Sequence, residues 1–128
     1  MKQAIHTGNA PAAAGPYSQA MRAGDFLFVS GQIALVPGTK ELRGSRAGEQ
    51  AAQALDNLKS IIEAAGLTMK DVVKTTVILA DIQDFAAVNE VYGKYFDSEY
   101  PARAAFQGGG LPLGALVEIE AVAYYGKK

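Results

Sequence analysis

The 128-residue sequence carries 12 basic and 13 acidic residues, for a formal net charge of −1, and no run of more than two basic residues, which disfavours nucleic acid as the main partner. It contains no cysteine, so disulfides, thiolate metal sites and a cysteine nucleophile are excluded. Its length predicts one domain, residues 1–128, and the absence of a signal-peptide apolar region or of roughly 20 consecutive apolar residues predicts a cytoplasmic protein without a membrane segment.

The N-terminal part of the chain is predicted to form three strands. A short first strand leads into an ordered loop over residues 10–16, which are rich in alanine, proline and glycine. The apolar run at 26–30 (FLFVS) is typical of a strand covered on both faces. Residues 17–22 are predicted to pair with this run as a hairpin, because an Ala-Gly-Asp turn separates the two segments.

The next segment predicts the longest helix. Small and apolar residues between positions 46 and 65 recur at the spacing of one helix face, and Gly66 suits the left-handed position that ends a helix. Thr68 and Asp71 have the spacing of a capping box, which predicts one further helical turn. The predicted buried stripe of the long helix consists of Ala47, Ala51, Ala54, Leu55, Leu58, Ile61, Ile62 and Ala65.

A strand and a second helix are predicted to follow. The β-branched run at 72–80 indicates a strand, and Asp81 is a suitable N-cap for a helix that Pro101 stops. The second helix has an apolar stripe of Phe85, Val88, Tyr92, Tyr95 and Phe96. Alternation places Val73, Thr75, Val77 and Leu79 on one face of the strand, and Val72, Lys74, Thr76, Ile78 and Ala80 on the other.

Two last strands, at 102–106 and 116–125, complete an α+β order in which one mixed sheet of about six strands has two helices on one face. The uncovered face still carries Ile78, Ala80 and part of the 26–30 run. A sizeable exposed apolar face is uncommon in a soluble monomer, so we expect the chain to associate with itself through this face.

Candidate functional residues lie on the last two strands. Arg103 lies within the strand-like stretch YPARAAF, where an arginine is either solvated or directed at an anion. Glu118 and Glu120 share one face with Val122 and Tyr124, two strand steps or roughly 6.6 Å apart. That face is either solvated or buried; if it is buried, we expect Arg103 and one glutamate to line the same pocket. Such a pair suits a small carboxylate substrate, because a guanidinium matches a carboxylate with two hydrogen bonds and a glutamate can orient a water molecule.

The sequence resembles the RidA/YjgF family along essentially its whole length. The motifs NAPAAAGPYSQA, FVSGQI, ALDNLKSIIEAAG, DVVKTTVILADIQDFAAVNEVYGKYF, PAR and LPLGALVEIEA occur in the family's order and spacing. The resemblance implies a chorismate-mutase-like fold and a homotrimer with a central barrel and clefts between subunits. It also implies hydrolysis of the reactive enamine and imine intermediates of pyridoxal-phosphate enzymes, such as 2-aminoacrylate and 2-iminobutanoate, to 2-oxo acids and ammonia. No metal or cofactor of its own is implied.

The resemblance implies three catalytic residues. Arg103 matches the family arginine after Pro-Ala, which holds the substrate carboxylate. Glu118, the first glutamate of the EIEA motif, would position and activate the attacking water, whereas we assign Glu120 a structural role. Tyr17, from the GPY motif, would cap the cleft.

Four further residues match family positions near the ligand: Ser30, Gly31, Asn89 and Ala105. Many relatives have a cysteine at the position of Ala105, where the main-chain amide can contact the substrate carboxylate. Alanine keeps that amide, so we expect activity without a thiol. Gly108 to Gly110 replace bulkier residues of relatives, which bears on the range of substrates.

Two other classes of function compete with the deaminase. Relatives have been described as translation inhibitors and endoribonucleases, which would make this chain an RNA-directed protein. A non-catalytic module that binds small carboxylates is the third class. Superfamily members that lack the arginine lose the deaminase activity, and the arginine is present here as Arg103.

Overall fold

The computed structural model describes residues 1–97 and 99–126, which contain six strands and two α-helices. The strands are β1 (Lys2–Ile5), β2 (Ala20–Ala23), β3 (Phe26–Gln32), β4 (Val72–Leu79), β5 (Ala102–Gln107) and β6 (Val117–Tyr124). The helices are α1 (Ala47–Ala64) and α2 (Phe85–Tyr92), and short 3₁₀ turns cover Met69–Asp71, Ile82–Asp84, Gly93–Tyr95 and Pro112–Gly114. No helix in the described ranges is long and apolar enough to cross a membrane.

The six strands form one mixed sheet in the order β1-β2-β3-β6-β4-β5. Only β4 and β5 pair in parallel, because α2 carries the chain back across the sheet between them. The other neighbours are antiparallel, and β1 and β5 form the two edges. Both helices pack on one face, which confirms the predicted architecture.

Helix α1 supplies the largest part of the core. Its apolar stripe is buried against the sheet, and Leu55, Leu58, Ile61 and Ile62 are fully inaccessible. The left-handed Gly66, at φ +86°, follows the helix as predicted. The capping box that joins Thr68 and Asp71 is also present, around a single 3₁₀ turn.

The second helix is shorter than predicted. Asp81 does cap a helical turn, since its side chain accepts a hydrogen bond from the Gln83 amide, but that turn is 3₁₀. Helix α2 then ends at Tyr92, and a second 3₁₀ turn leads to Phe96, which is extended. The backbone has therefore left the helix well before Pro101.

Two predicted strand details are wrong. Strand β2 begins at Ala20 rather than at Tyr17, because the chain bends at residues 15–17, where the Tyr17 amide bonds back to the Gly15 carbonyl. The register between β4 and β6 shifts between Val72 and Lys74. This irregularity breaks the alternation, so Val72 is buried on the helix side and Val73 is 41% exposed.

The face opposite the helices is apolar and uncovered. Its exposed rings are Phe26 and Phe28 on β3, Phe106 on β5 and Tyr124 on β6. The rings of Phe26 and Tyr124 lie 5.2 Å apart, so they already form part of a continuous patch. We call this surface the open face. The structure describes a single chain, so self-association through this face stays a prediction.

We predict opposite effects for alanine at two glycines. Gly66→Ala places a Cβ in the left-handed region and should lower the free energy of unfolding by about 1 kcal/mol. Gly48→Ala adds a good helix former to α1, where the new Cβ meets its nearest neighbours at 3.7 Å. This change should raise the free energy of unfolding by up to about 1 kcal/mol. Urea denaturation at one protein concentration measures both; a stabilising Gly66→Ala would contradict this account of the helix end.

Candidate active site

A cleft of about 630 Å³ lies on the open face, where β6 pairs with β3. Glu118 points into it because its strand neighbours Val117 and Ile119 are buried on the helix side. The walls are mostly apolar, and the carboxylates of Glu118 and Glu120 are the acidic groups. We call this the glutamate cleft; it is lined by Pro11, Ala12, Ala14, Tyr17, Ser30, Gly31, Gln32, Ile33, Leu35, Pro112, Leu113, Glu118 and Glu120.

The carboxyl group of Glu118 is more basic than an ordinary glutamate. Partial burial raises the pKa of Glu118, and the charge of Glu120 raises it further. Both causes disfavour the ionised form, so the carboxylate binds a proton more readily than a solvated one. A group of this kind is suited to accept a proton from water and to return it.

Strand β3 is irregular where it faces Glu118. The pairing of β3 with β6 shifts between Val29 and Gln32, at the position of Ser30 and Gly31. A Cβ on Gly31 would overlap the carboxylate of Glu118, so a larger residue at position 31 would displace this carboxylate from where it lies. Ser30 donates its hydroxyl hydrogen to the Ser18 carbonyl at 2.6 Å and thereby fixes the loop that precedes β2.

Tyr17 lies on that loop at the mouth of the cleft and is 52% exposed. The buried side chain of Gln19, which is 3% exposed, holds this loop. It forms hydrogen bonds with the main chain of Thr7 and with the Pro11 carbonyl. The Tyr17 hydroxyl accepts a hydrogen bond from the Ala14 amide at 3.3 Å. The hydroxyl is thus held by the backbone, and the side chain lines the cleft.

Arg103 lies in a second, smaller cleft of about 350 Å³, between β5 and the end of α2. Its guanidinium donates a 2.7 Å hydrogen bond to the side-chain oxygen of Asn89. The guanidinium carbon also lies 4.9 Å from the centre of the Tyr92 ring and 5.4 Å from that of Phe85. We call this the arginine cleft; Asn89, Tyr92, Gly93, Tyr100, Pro101 and Arg103 line it.

No acidic side chain among the described residues forms an ion pair with Arg103. In the described ranges, the one ion pair joins Lys70 to Asp97 on the surface. The partners of Arg103 are an amide oxygen and two aromatic rings, which orient a guanidinium but leave its net charge intact. An anion that reached this cleft would therefore meet a preorganised cation.

The two clefts lie on opposite faces of the sheet. Arg103 is opposite Thr75 in the β4–β5 pairing, and Thr75 faces the helices. Glu118 is opposite Ile78 on β4. Ile78 lies three positions after Thr75, so its side chain points to the other face of the sheet, and Glu118 therefore faces away from the helices. The prediction that Arg103 and a glutamate line one pocket is wrong for a single chain, because side chains alternate between the two faces.

The structure brings the other predicted residues together in two groups. Tyr17, Ser30 and Gly31 join Glu118 in the glutamate cleft, whereas Asn89 joins Arg103. Ala105 follows Arg103 by two residues on the same edge strand and packs against the core. The described residues contain no group of three His, Cys, Asp or Glu side chains that could hold a metal ion.

Two features of the clefts were not anticipated. Leu113 is 66% exposed, lines the glutamate cleft and has a left-handed backbone at φ 56°, which non-glycine residues seldom adopt. Its only sequence signal is the turn-forming LPLG stretch. Tyr92 was expected to be a core residue; it is buried, but its ring also contacts Arg103.

Comparison with known proteins identifies the family of this chain. A family model described as Endoribonuclease L-PSP matches residues 7–125. The chain is 51% identical over 124 residues to a RutC family protein of Pyrococcus horikoshii, covering 97% of this chain and 98% of that one. It is 49% identical over 126 residues to human 2-iminobutanoate/2-iminopropanoate deaminase, covering 98% and 92%.

A solved structure shares the fold. The structure of E. coli TdcF with bound serine is 42% identical and has a TM-score of 0.91, covering 95% of this chain and 98% of that one. A family match over nearly the whole length, with relatives about half identical over the same length, shows that this chain belongs to the RidA/YjgF family.

Proposed function

We propose that this protein is a 2-iminobutanoate/2-iminopropanoate deaminase, which hydrolyses the imines released by pyridoxal-phosphate enzymes to 2-oxo acids and ammonia. The observation that carries the proposal is the Arg103 guanidinium, held by neutral groups and free to pair with a carboxylate. The name of the human relative describes this activity, and the serine in the TdcF structure is a small molecule with a carboxylate.

A complete site on this proposal needs two chains. A small imino acid cannot contact Arg103 and Glu118 through the thickness of the sheet, so the arginine cleft of one chain must adjoin the glutamate cleft of a neighbour. Pairing of the open face, with its exposed rings at Phe28, Phe106 and Tyr124, would bring chains together. We propose the cyclic homotrimer with a central barrel, which gives three equivalent clefts.

Arg103 then binds the substrate carboxylate with two parallel hydrogen bonds, while Asn89 holds the guanidinium in place. Strand β5 is an edge of the sheet, so every second backbone amide points away from β4. The amide of Ala105 supplies a further donor to the carboxylate on this proposal. Ser30, Gly31 and Tyr17 of the neighbouring chain close the opposite wall.

Glu118 of the neighbouring chain activates the water. The carboxylate accepts a proton as the water oxygen attacks C2 of the protonated imine, which forms a carbinolamine. The same proton passes to the amine nitrogen. As the C2–N bond breaks and ammonia leaves, the carboxylate of Glu118 takes the proton of the carbinolamine hydroxyl, so that the 2-oxo acid forms. That proton then passes to the ammonia, which leaves as ammonium, and the carboxylate is regenerated. A carboxyl with a raised pKa is well matched to both transfers.

The charge distribution favours this chemistry over RNA binding. Among the described residues that line the two clefts, Arg103 is the only one with a positive charge. A nucleic-acid surface uses several cations that follow the phosphate backbone. A single guanidinium is instead matched to a small monoanion.

The first test concerns assembly. The wild type should sediment as three chains, and Phe28→Glu should sediment as a monomer and lose activity, because it places a charge in the open face. Ala64→Glu is the matched control, since it adds the same charge to an exposed position on α1 and should stay trimeric. A monomeric wild type with full activity would contradict the shared cleft.

The second test concerns the carboxylate clamp. In an assay that couples a threonine dehydratase to this protein and follows imine loss, Arg103→Ala should reduce the rate by about 100-fold or more, toward background. Arg22→Ala is the control, because that arginine also stacks on a ring, Tyr125, but lies outside both clefts. Equal rates for the wild type and Arg103→Ala would refute the deaminase assignment.

The third test uses the pKa of Glu118. Only the ionised carboxylate accepts a proton from water, so activity should fall as the pH drops through this raised pKa. Glu120→Gln removes a negative charge that raises the pKa, and the acid limb of the pH–rate profile should therefore move to lower pH. Glu118→Gln should abolish the limb together with the activity. An acid limb that moves to higher pH in Glu120→Gln would exclude Glu118 as the titrating base.

A further inference from the structure

The guanidinium of Arg103 is linked to the neighbouring strand through an aromatic ring. Thr75 on β4 lies opposite Arg103 on β5, and both side chains point toward the helix layer. The hydroxyl groups of Thr75 and Tyr92 are 2.7 Å apart, and the ring of Tyr92 lies under the guanidinium at 4.9 Å. The ring of a single residue on α2 thus contacts both strands.

This ring has little freedom to move. Tyr92 is 5% exposed and packs against Phe96, with the ring centres 4.8 Å apart. Thr75 is 1% exposed, so each hydroxyl satisfies the other in a place without solvent. Breaking this hydrogen bond leaves a buried polar group unpaired, which is costly. The bond therefore specifies where the ring lies, and the ring specifies where the guanidinium lies.

The second contact of Arg103 comes from the same helix. Asn89 precedes Tyr92 by three residues, so both side chains project from one face of α2. Both groups are neutral: burial raises the pKa of Tyr92 more than Thr75 and Arg103 lower it, so the phenol keeps its proton. A carboxylate in either place would orient the arginine equally well but would cancel the charge that a substrate needs.

We propose that Tyr92, fixed by Thr75, is a positioning residue that sets how tightly Arg103 binds a small carboxylate. The inference rests on the proposed function, which assigns carboxylate binding to Arg103. It adds that the buried Thr75–Tyr92 hydrogen bond acts on substrate affinity rather than on folding alone. Neither residue touches the reacting carbon, so binding should change more than turnover.

The test measures binding of 2-oxobutanoate, a stable carboxylate product, by isothermal titration calorimetry, beside the coupled imine assay. Thr75→Val and Tyr92→Phe each remove one hydroxyl and keep the shape of the side chain. Each should weaken binding and raise KM by about threefold to tenfold, with kcat within about twofold of the wild type. The double variant should bind 2-oxobutanoate as tightly as whichever single variant binds it less tightly, because each substitution breaks the same hydrogen bond.

Two matched variants separate positioning from stability. Thr75→Ser keeps the hydroxyl and should bind 2-oxobutanoate as tightly as the wild type does, even if its melting temperature is lower. Tyr95→Phe removes a hydroxyl that bonds Asp56 and the Ala52 carbonyl, away from Arg103, and should leave binding unchanged. Thermal melts of every variant show which of them fold.

The outcomes distinguish this inference from the proposed function. If Tyr92→Phe and Thr75→Val fold and bind 2-oxobutanoate as tightly as the wild type does, the positioning role is refuted even when imine hydrolysis is intact. If binding weakens as expected but the wild type accelerates no imine hydrolysis, the positioning role stands and the deaminase proposal fails. A wild type that binds no 2-oxo acid would overturn both.

Discussion

The alternation of side chains across a β-sheet is the constraint from which the account of this site follows. Arg103 and Glu118 project from β5 and β6, separated only by β4, yet they point to opposite faces. No described residue forms an ion pair with either charge: the arginine contacts an amide and two rings, and the glutamate lies in a largely apolar cleft. The chain thus carries two clefts of opposite charge.

Other contacts place each of the two charged groups. Arg103 is exposed to solvent, and weak, neutral contacts from Asn89, Phe85 and Tyr92 orient its guanidinium. Glu118 occupies a space kept open by Gly31 at the irregularity in β3, and burial raises its pKa, which lessens the time that it spends ionised. Buried glutamines and asparagines hold the surrounding loops; Asn57, for example, bonds the carbonyls of Ile33 and Leu35 beside the cleft.

The regular parts of this fold could be predicted from local patterns, and the irregular parts could not. Helix α1 follows from its apolar stripe and Gly66, and β6 follows from strict alternation. The irregularity that turns Val73 to the exposed face has no signature in the sequence, because valine occurs on both faces of a strand. The early end of α2 is also hidden, since its apolar stripe continues through the 3₁₀ turn after Tyr92. Leu113 could not be identified because its left-handed backbone is imposed by the tertiary structure.

The residues of the candidate site were identified through family motifs, but their grouping depended on the fold. Sequence adjacency suggested that Arg103 faces a glutamate, and the parallel pairing of β5 with β4 shows that it faces Asn89 instead. A shared cleft between chains would reconcile the motif with the geometry. Mixing two inactive variants tests this most directly: Arg103→Ala and Glu118→Gln chains are unfolded, combined in equal amounts and refolded together. In a cyclic trimer every mixed assembly contains one intact cleft, so the mixture should recover about a quarter of the wild-type activity, while each variant refolded alone stays inactive. A mixture as inactive as its components, in trimers shown to contain both chains, would mean that the two residues do not meet across the interface.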